Sequence, residues 1–240
     1  MRLGARGRAV VHVEKDIWNE TYEFGLDGVG ATGGTLVSTA GVAIPAEALH
    51  PTAGDHRQGD SRLITRSSPE CRLYIALHPC ECGERELPTE CDVLQGEGML
   101  MARYRGACPR CTCAREFVFT LDPEMPPPDA FGGNKPSRII CPGQFALYSD
   151  RLASRWPADQ SALSAADRTR ARDDLFWAIR ALEEVVKCIP EGSSEVPSGA
   201  FTSPEGRAAF EAEPGRFRKI RLHACLTAYR ELLSGLDSIT

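Results

Sequence analysis

Two short cysteine clusters contain the residues of this chain whose types and spacing could do chemistry. The first reads HPCECG over residues 78–83, and the second reads CPRCTC over residues 108–113. Thiolates are good ligands for zinc, and a structural zinc takes four protein ligands in a tetrahedron. Two turns that contribute two sulfurs each meet this requirement. The clusters therefore predict a metal site built from two turns.

The second turn has the two-residue gap, between Cys108 and Cys111, that is common in metal-binding cysteine pairs. Two cysteine turns of this kind, the second with the form C-P-x-C, resemble the zinc-ribbon family over residues 71–121. The resemblance implies a structural Zn2+ ion. The ligand set that it implies is Cys80, Cys82, Cys108 and Cys111.

The first turn departs from the usual pattern, because a single residue separates its two cysteines. Three other side chains are therefore alternative ligands. Cys113 is the alternative in the second turn, and His78 and Cys91 are the alternatives in the first. Four protein ligands close a metal site, whereas a catalytic zinc keeps an open position. We therefore expect a structural metal and no catalysis at this site.

Strand-like runs flank the two turns and must position them. Residues 71–77 place apolar side chains at every second position, which predicts a strand before the first turn. A second strand is expected within residues 84–95, a third over residues 99–105 and a fourth over residues 115–121. Two hairpins with cysteines at their tips would bring four sulfurs together.

The C-terminal part of the chain has helical periodicity instead. A short amphipathic helix is expected over residues 145–153, and the clearest helix over residues 164–189, where Pro190 ends it. Another helix starts at Ser203, and the last is expected over residues 216–234. These patterns predict an α+β protein.

The predicted α+β fold has three parts. Residues 1–68 form an irregular N-terminal arm with short strands, residues 69–122 a zinc-ribbon-like β module, and residues 137–240 a helical region. A proline-rich connector over residues 122–136 separates the module from the helices.

The N-terminal arm contains a literal G-x-G-x-x-G at residues 28–33. A dinucleotide-binding loop needs a helix directly after this motif, but β-branched residues follow here. We therefore interpret the motif as a glycine-rich turn. Strands are expected at residues 9–13 and 35–38, and a polar linker at residues 51–68.

Composition narrows the possible environments. The net charge is −5, so no global basic field attracts nucleic acid or an anionic membrane. No apolar run reaches the roughly 20 residues of a membrane span, and the basic start lacks the apolar core of a secretion signal. We therefore predict a cytoplasmic protein whose ten cysteines are metal ligands and buried thiols. The preference for arginine over lysine indicates a bacterial genome rich in G and C.

Two groups of basic residues are candidate partner-binding or anion-binding sites. The first surrounds the second cysteine turn and consists of Arg103, Arg105, Arg110 and Arg115. The second opens the predicted last helix and consists of Arg216, Arg218, Lys219 and Arg221. Cations oppose the helix dipole there, and this local cost would be explained by a site for an acidic partner or phosphate. The favoured interpretation is instead a solvated face that pairs with nearby glutamates.

The favoured function is that of a non-enzymatic zinc-binding interaction protein, such as an adaptor, an immunity-type binder or a subunit of a larger assembly. The sequence contains no G-x-S-x-G and no H-E-x-x-H motif. Cys188, Cys225 and His223 are the conceivable members of a nucleophilic site. The alternatives are a nucleic-acid-binding regulator that uses the arginines of the zinc module, and an enzyme of unknown class.

Overall fold

The computed structural model describes residues 63–237 apart from residues 97 and 125, and two strands further upstream. These strands, β1 (Arg8–Val11) and β2 (Tyr22–Gly25), pair antiparallel with Arg8 opposite Gly25. Strand β1 overlaps the strand predicted at residues 9–13. The predicted strand at residues 35–38, the glycine-rich turn at residues 28–33 and the linker as far as residue 62 lie outside the described residues.

Four further strands form one sheet in the order β3, β6, β5, β4. They are β3 (Ile64–Thr65), β4 (Glu90–Gly96), β5 (Met99–Ala107) and β6 (Ala114–Leu121). Strand β3 pairs parallel with β6, and the other pairs are antiparallel. The prediction of a polar linker over residues 51–68 is therefore wrong near its C-terminal end, because residues 64 and 65 form strand β3 of the sheet.

Helix α1 (Ser68–Leu77) occupies the residues that we predicted as the strand before the first cysteine turn, so that prediction is wrong. The side chain of Ser67 caps the helix by accepting a hydrogen bond from the backbone N–H of Glu70. Pro69 lies in the first turn, where its missing N–H costs nothing. These helix-start signals outweigh the alternating apolar pattern that follows them.

Helix α1 packs on one face of the sheet. Cys71 and Ile75 from the helix meet Ala102, Tyr104 and Phe119 from the strands in one buried cluster. The rings of Tyr104 and Phe119 lie edge to face, with centroids 5.8 Å apart. Burial of these aromatic side chains stabilises the sheet by about 2 kcal/mol each relative to exposure.

Four more α-helices follow. They are α2 (Pro142–Ala153), α3 (Ala165–Lys187), α4 (Pro204–Ala212) and α5 (Lys219–Asp237). Two short 3-10 helices lie between them, at Ser198–Ala200 and Pro214–Phe217. The predicted helices are confirmed with shifted ends. Helix α2 begins three residues before the expected residue 145, α3 ends two residues before the expected residue 189, and the last helix begins and ends three residues later than expected.

Helix starts in this region carry the expected caps. The hydroxyl of Ser164 accepts a hydrogen bond from the N–H of Asp167 at the start of α3, and that of Ser203 accepts one from Gly206 at the start of α4. Helix α2 packs against α3 and α4, and α3 packs against α5. A Cβ atom at Gly143 would overlap the backbone of Gly206, so glycine permits the close contact between α2 and α4.

A buried ionic cluster joins α1 to α3. The guanidinium of Arg66 donates to Glu70 at 2.6 Å and to Glu184 at 2.9 Å, and Lys187 also pairs with Glu184. Glu70 and Glu184 are 0% and 2% exposed. Burial lowers the pKa of Arg66, but the two carboxylates raise it by a larger amount, so the net direction is upward. The guanidinium therefore keeps its charge.

The protein is therefore a mixed α+β fold with a four-stranded sheet and, among the described residues, five α-helices. The predicted fold class is confirmed. Ser61–Thr240 forms one unit, and the three-part division of the chain stays a prediction. None of the described helices combines the length and the apolar character that crossing a membrane requires.

Candidate metal centre

Four cysteine thiols converge at one end of the sheet. The Sγ atoms of Cys80, Cys82, Cys108 and Cys111 all lie within 4.8 Å of one another. The shortest separations are 3.4 Å between Cys80 and Cys111 and 3.5 Å between Cys82 and Cys108. A tetrahedral zinc with ligands at about 2.3 Å needs sulfurs about 3.8 Å apart. The arrangement could therefore hold a metal ion.

The first cysteine turn lies between α1 and β4. The N–H of Cys80 donates to the carbonyl of Glu84 at 2.8 Å, and the N–H of Gly83 donates back to the carbonyl of Cys80 at 2.7 Å. Gly83 has a φ of +87°, which glycine adopts without strain. This turn points the thiols of Cys80 and Cys82 toward the second turn. A helix precedes it, so our prediction of two hairpin tips is wrong for this half of the site.

The second cysteine turn is the tip of the β5–β6 hairpin, as predicted. The N–H of Cys108 donates to the carbonyl of Cys113, which closes the ladder, and the N–H of Thr112 donates to the carbonyl of Cys108. Thr112 has a φ of +59°, a left-handed conformation that a β-branched residue rarely adopts. The tight turn directs Cys108 and Cys111 to the same side.

The three alternative ligands lie outside the thiol cluster. Within the described residues, the candidate metal group contains only the quartet of cysteines. His78 is exposed, stacks on the ring of Tyr74 and places Nδ1 2.7 Å from that residue's carbonyl oxygen. Cys91 packs against the core of the sheet, and the thiol of Cys113 is exposed.

The crowded thiols perturb one another. Desolvation raises the pKa of Cys108, but hydrogen bonds from the N–H groups of Cys111 and Arg110 and from neighbouring thiols outweigh it and lower the pKa to about 6. The N–H of Cys113 lowers the pKa of Cys111, but the sulfurs of Cys80 and Cys108 raise it by a larger amount, so the net direction is upward. Four thiolates this close need a cation to offset their repulsion.

Two of the four arginines near the second turn hold the two turns together. Arg110 donates to the carbonyl of Cys82 at 2.9 Å, and Arg115 donates to the carbonyl of His78 at 2.6 Å. The guanidinium of Arg115 also lies over the ring of Phe117. Both contacts connect the hairpin to the segment that follows α1. Contacts of this kind orient metal ligands.

The other two arginines pair with one carboxylate. Arg103 and Arg105 donate to the same oxygen of Asp92, at 3.1 and 2.7 Å, across the β4–β5 ladder. Each of the four arginines thus has a partner within the chain. Their use in binding an external partner stays a prediction.

The basic residues near α5 differ from the predicted arrangement, because Arg216 and Arg218 precede the helix. Arg216 pairs with Asp150 at 2.6 Å and is partly buried. Arg218 lies 3.7 Å from Glu195, and Arg221 lies 3.5 Å from Glu213. These last two pairs are exposed and contribute little to stability.

The conceivable nucleophilic residues are not gathered in one place. Cys188 caps the C-terminus of α3, and burial raises the pKa of its thiol to about 11, the opposite of what a nucleophile needs. Cys225 and His223 are exposed on α5.

Sequence reasoning missed the ionic cluster of Arg66, Glu70 and Glu184. Arg66 and Glu184 are separated by 118 positions, and neither lies in a recognisable motif. The capping pattern Ser67-x-x-Glu70 was the one available signal, because it places a carboxylate in the first turn of a helix.

Fold and site together define a mixed α+β protein with a candidate four-cysteine metal centre. The centre lies between the turn that follows α1 and the tip of the β5–β6 hairpin. No protein-family model matches the chain, and neither curated proteins nor solved structures contain a match to it.

Proposed function

We propose that this chain is a non-enzymatic interaction protein of the bacterial cytoplasm, with a structural zinc bound by Cys80, Cys82, Cys108 and Cys111. The observation that carries the proposal is the convergence of these four sulfurs within 4.8 Å. They come from two turns whose cysteines are 26 or more positions apart in the chain. A metal bound there ties the hairpin to the segment after α1.

The donor set supports zinc. Four thiolates in a tetrahedral arrangement are typical of zinc or of iron-sulfur chemistry, whereas magnesium and calcium prefer oxygen. Because all four ligands come from the protein, the metal has no open position for a substrate. The metal then stabilises the fold, and the biological activity lies on another surface.

The contacts of the arginines favour a protein partner over nucleic acid. Arg110 and Arg115 are engaged with backbone carbonyls, and Arg103 and Arg105 share the carboxylate of Asp92. Nucleic-acid surfaces instead present arginines and lysines to phosphates. Fluorescence anisotropy with short DNA and RNA at low salt tests this choice. Salt-sensitive binding that Arg103→Ala or Arg105→Ala weakens would support the nucleic-acid alternative.

Metal analysis of the purified protein tests the proposal. We expect one zinc per chain after exchange into metal-free buffer, and a loss of thermal stability when a strong chelator removes it. Iron in place of zinc would correct the identity of the metal. A protein that contains no metal and keeps its melting temperature in chelator would contradict the proposal.

A matched pair of variants locates the metal. Cys111→Ser should abolish stoichiometric binding, whereas Cys113→Ser, two positions away with an exposed side chain, should leave one zinc per chain. Equal zinc content in both variants would mean that the quartet is wrong.

A further inference from the structure

The four-stranded sheet has two edges of very different length. Strand β3 has two residues, whereas β4 at the opposite edge has seven. Strand β4 pairs with β5 residue for residue, from Glu90 opposite Arg105 to Gly96 opposite Met99. Within the described residues, no strand lies on its other side. A long, regular edge is a template for another strand, and proteins usually shorten or interrupt such edges.

The hydrogen bonds of the neighbouring ladders show which backbone groups of β4 point outward. Successive residues of a strand within an antiparallel sheet bond to opposite neighbours. The N–H of Cys108, just after β5, donates to Cys113 on the β6 side, so even-numbered residues of β5 bond to β6 and odd-numbered residues to β4. The N–H of Thr120 on β6 donates to Leu63 instead, as this alternation requires. The β4 residues engaged with β5 are therefore Glu90, Asp92, Leu94 and Gly96.

Val93 and Gln95 lie between the engaged residues, and their N–H and C=O groups point away from the sheet. None of the described residues outside the β4–β5 ladder bonds to these four groups. Both side chains are exposed, so the edge is accessible to another strand. The usual protection of an edge is missing, because residues 90–96 contain neither lysine nor proline.

Apolar side chains surround this edge. Val93 is 39% exposed, and Leu100 on β5, which lies opposite Gln95, is 48% exposed. Leu94 is half-buried on the other face of the sheet. Exposed apolar surface beside unpaired backbone groups is costly in water and is typical of surfaces that bind another chain. The chemistry of the edge therefore selects an extended strand with apolar side chains.

We propose that β4 pairs antiparallel with β4 of a second copy of this chain, about a twofold axis at Leu94. Val93 of each copy then lies opposite Gln95 of the other, and the outward groups of these residues form four hydrogen bonds. The two Leu94 residues face each other in a non-hydrogen-bonded pair, where side chains lie closest. The interface is self-complementary, as twofold dimers require. The proposal goes beyond the proposed function and does not depend on the metal centre.

The charges of β4 favour a second copy as the partner. In the antiparallel register, Asp92 lies opposite Gly96, which has no side chain, and Glu90 lies beyond the end of the other strand. The two Asp92 residues are four positions apart along the strands, or about 13 Å, so their carboxylates do not meet. The acidic half of each strand thus pairs with the uncharged half of the other, and no like charges lie directly opposite.

The size of the interface sets its strength. Four hydrogen bonds and a few apolar contacts fall below the roughly 1,200 Å² of a standard stable interface. The dimer should therefore be weak and should dissociate on dilution. Sedimentation equilibrium of the full chain over a range of concentrations measures this directly.

Val93→Lys tests the side chains of the edge. Two lysines would lie on neighbouring pairs of the same face, and we expect their repulsion to weaken the dimer at least about tenfold. Val118→Lys is the matched control, because Val118 is 41% exposed but lies on β6, two strands from the edge. The control should dimerise like the parent, and circular dichroism should show both variants folded.

A cross-link tests the register. Leu94→Cys places two thiols in a non-hydrogen-bonded pair with Cα atoms about 4.5 Å apart, within the range of a disulfide. Mild oxidation of the full chain should therefore form a covalent dimer on a non-reducing gel. Val93→Cys is the control with the same number of cysteines, because its two Cα atoms lie on a diagonal of about 8 Å, which a disulfide does not span.

A protein that stays monomeric at every concentration overturns the proposal, and so does a dimer that Val93→Lys leaves unchanged. A covalent dimer of the Val93→Cys variant in place of the Leu94→Cys variant would put the axis elsewhere and overturns it as well. Zinc content should be the same in the parent and in all four variants, so failure to dimerise is distinguishable from failure of the metal site.

Discussion

The cysteine end of the sheet and the helical region reach stability by different means. In the helical region, buried apolar side chains pack between helices, as Leu175, Leu182 and Val185 do on α3. At the cysteine end, Cys82 and Cys111 are only partly buried, and Glu81 and Cys113 are exposed. We therefore expect one end of the molecule to depend on a bound metal, in addition to the contacts of Arg110 and Arg115, and the other to depend on its core.

Removal of a metal ligand should have the largest effect on the cysteine end. Cys80→Ser should abolish zinc binding and destabilise the protein by about 4 kcal/mol, the stabilisation that a ligand provides at a thousand times its dissociation constant. Zinc content and urea unfolding check both effects. Cys113→Ser is the control, and it should change stability by less than about 0.5 kcal/mol. Equal destabilisation by both variants would contradict the assignment.

Removal of one carboxylate from the ionic cluster should damage the fold without affecting the metal. Glu184→Ala leaves Arg66 with one buried partner, and we expect a loss of about 3 kcal/mol in urea unfolding, with zinc content unchanged. Glu183 is the matched control, because it pairs with Arg180 and Arg230 nearer the surface. Glu183→Ala should cost less than about 1 kcal/mol. A similar cost for both would mean that the buried cluster has no special role.

A methyl group at the contact between α2 and α4 should destabilise the helical region and leave the cysteine end unchanged. Gly143→Ala forces its Cβ into the backbone of Gly206 and should cost about 2 kcal/mol, with zinc retained. Gly215→Ala is the control, since its Cβ meets only open space. Thermal unfolding of the two variants should differ clearly. If Gly143→Ala is as stable as the control, the helices do not pack this closely.

Alkaline pH should weaken the core under α1. Burial raises the pKa of the Cys71 thiol from about 9 to about 12. The folded protein then keeps a proton that the unfolded chain loses, so this stabilisation is complete below pH 9 and is lost as the pH rises toward 12. From pH 8 to 10 the loss should be about 1 kcal/mol. Urea midpoints should fall less steeply with pH in Cys71→Ala, and an unchanged slope would contradict the explanation.

Secondary structure was predicted best from the sequence where a short local pattern, such as a helix cap or a cysteine spacing, determined it. Ser164 and Ser203 mark helix starts that the structure confirms, and the Cys108–Cys111 spacing marks a hairpin tip. The error at α1 has a physical cause. Residues 71–77 alternate like a strand, but the cap at Ser67 lies just before them and decides the conformation.

Long-range features could not be predicted from local patterns. Strand β3 has two residues and is defined only by its pairing with β6, 56 positions away between Ile64 and Thr120. The contact of Arg66 with Glu184 likewise depends on how α1 and α3 pack. The pairing of the cysteine turns was predictable because metal chemistry requires four ligands whatever the elements between them.

X-ray absorption at the zinc edge of the purified protein reports the ligands of the metal directly. We expect four sulfur atoms at about 2.3 Å around the metal and no nitrogen or oxygen. Replacement of Cys82 by histidine should convert one sulfur to nitrogen if that residue is a ligand. A first shell that contains a histidine or water in the parent protein would contradict a closed site formed by Cys80, Cys82, Cys108 and Cys111, as would a sample that contains no bound metal.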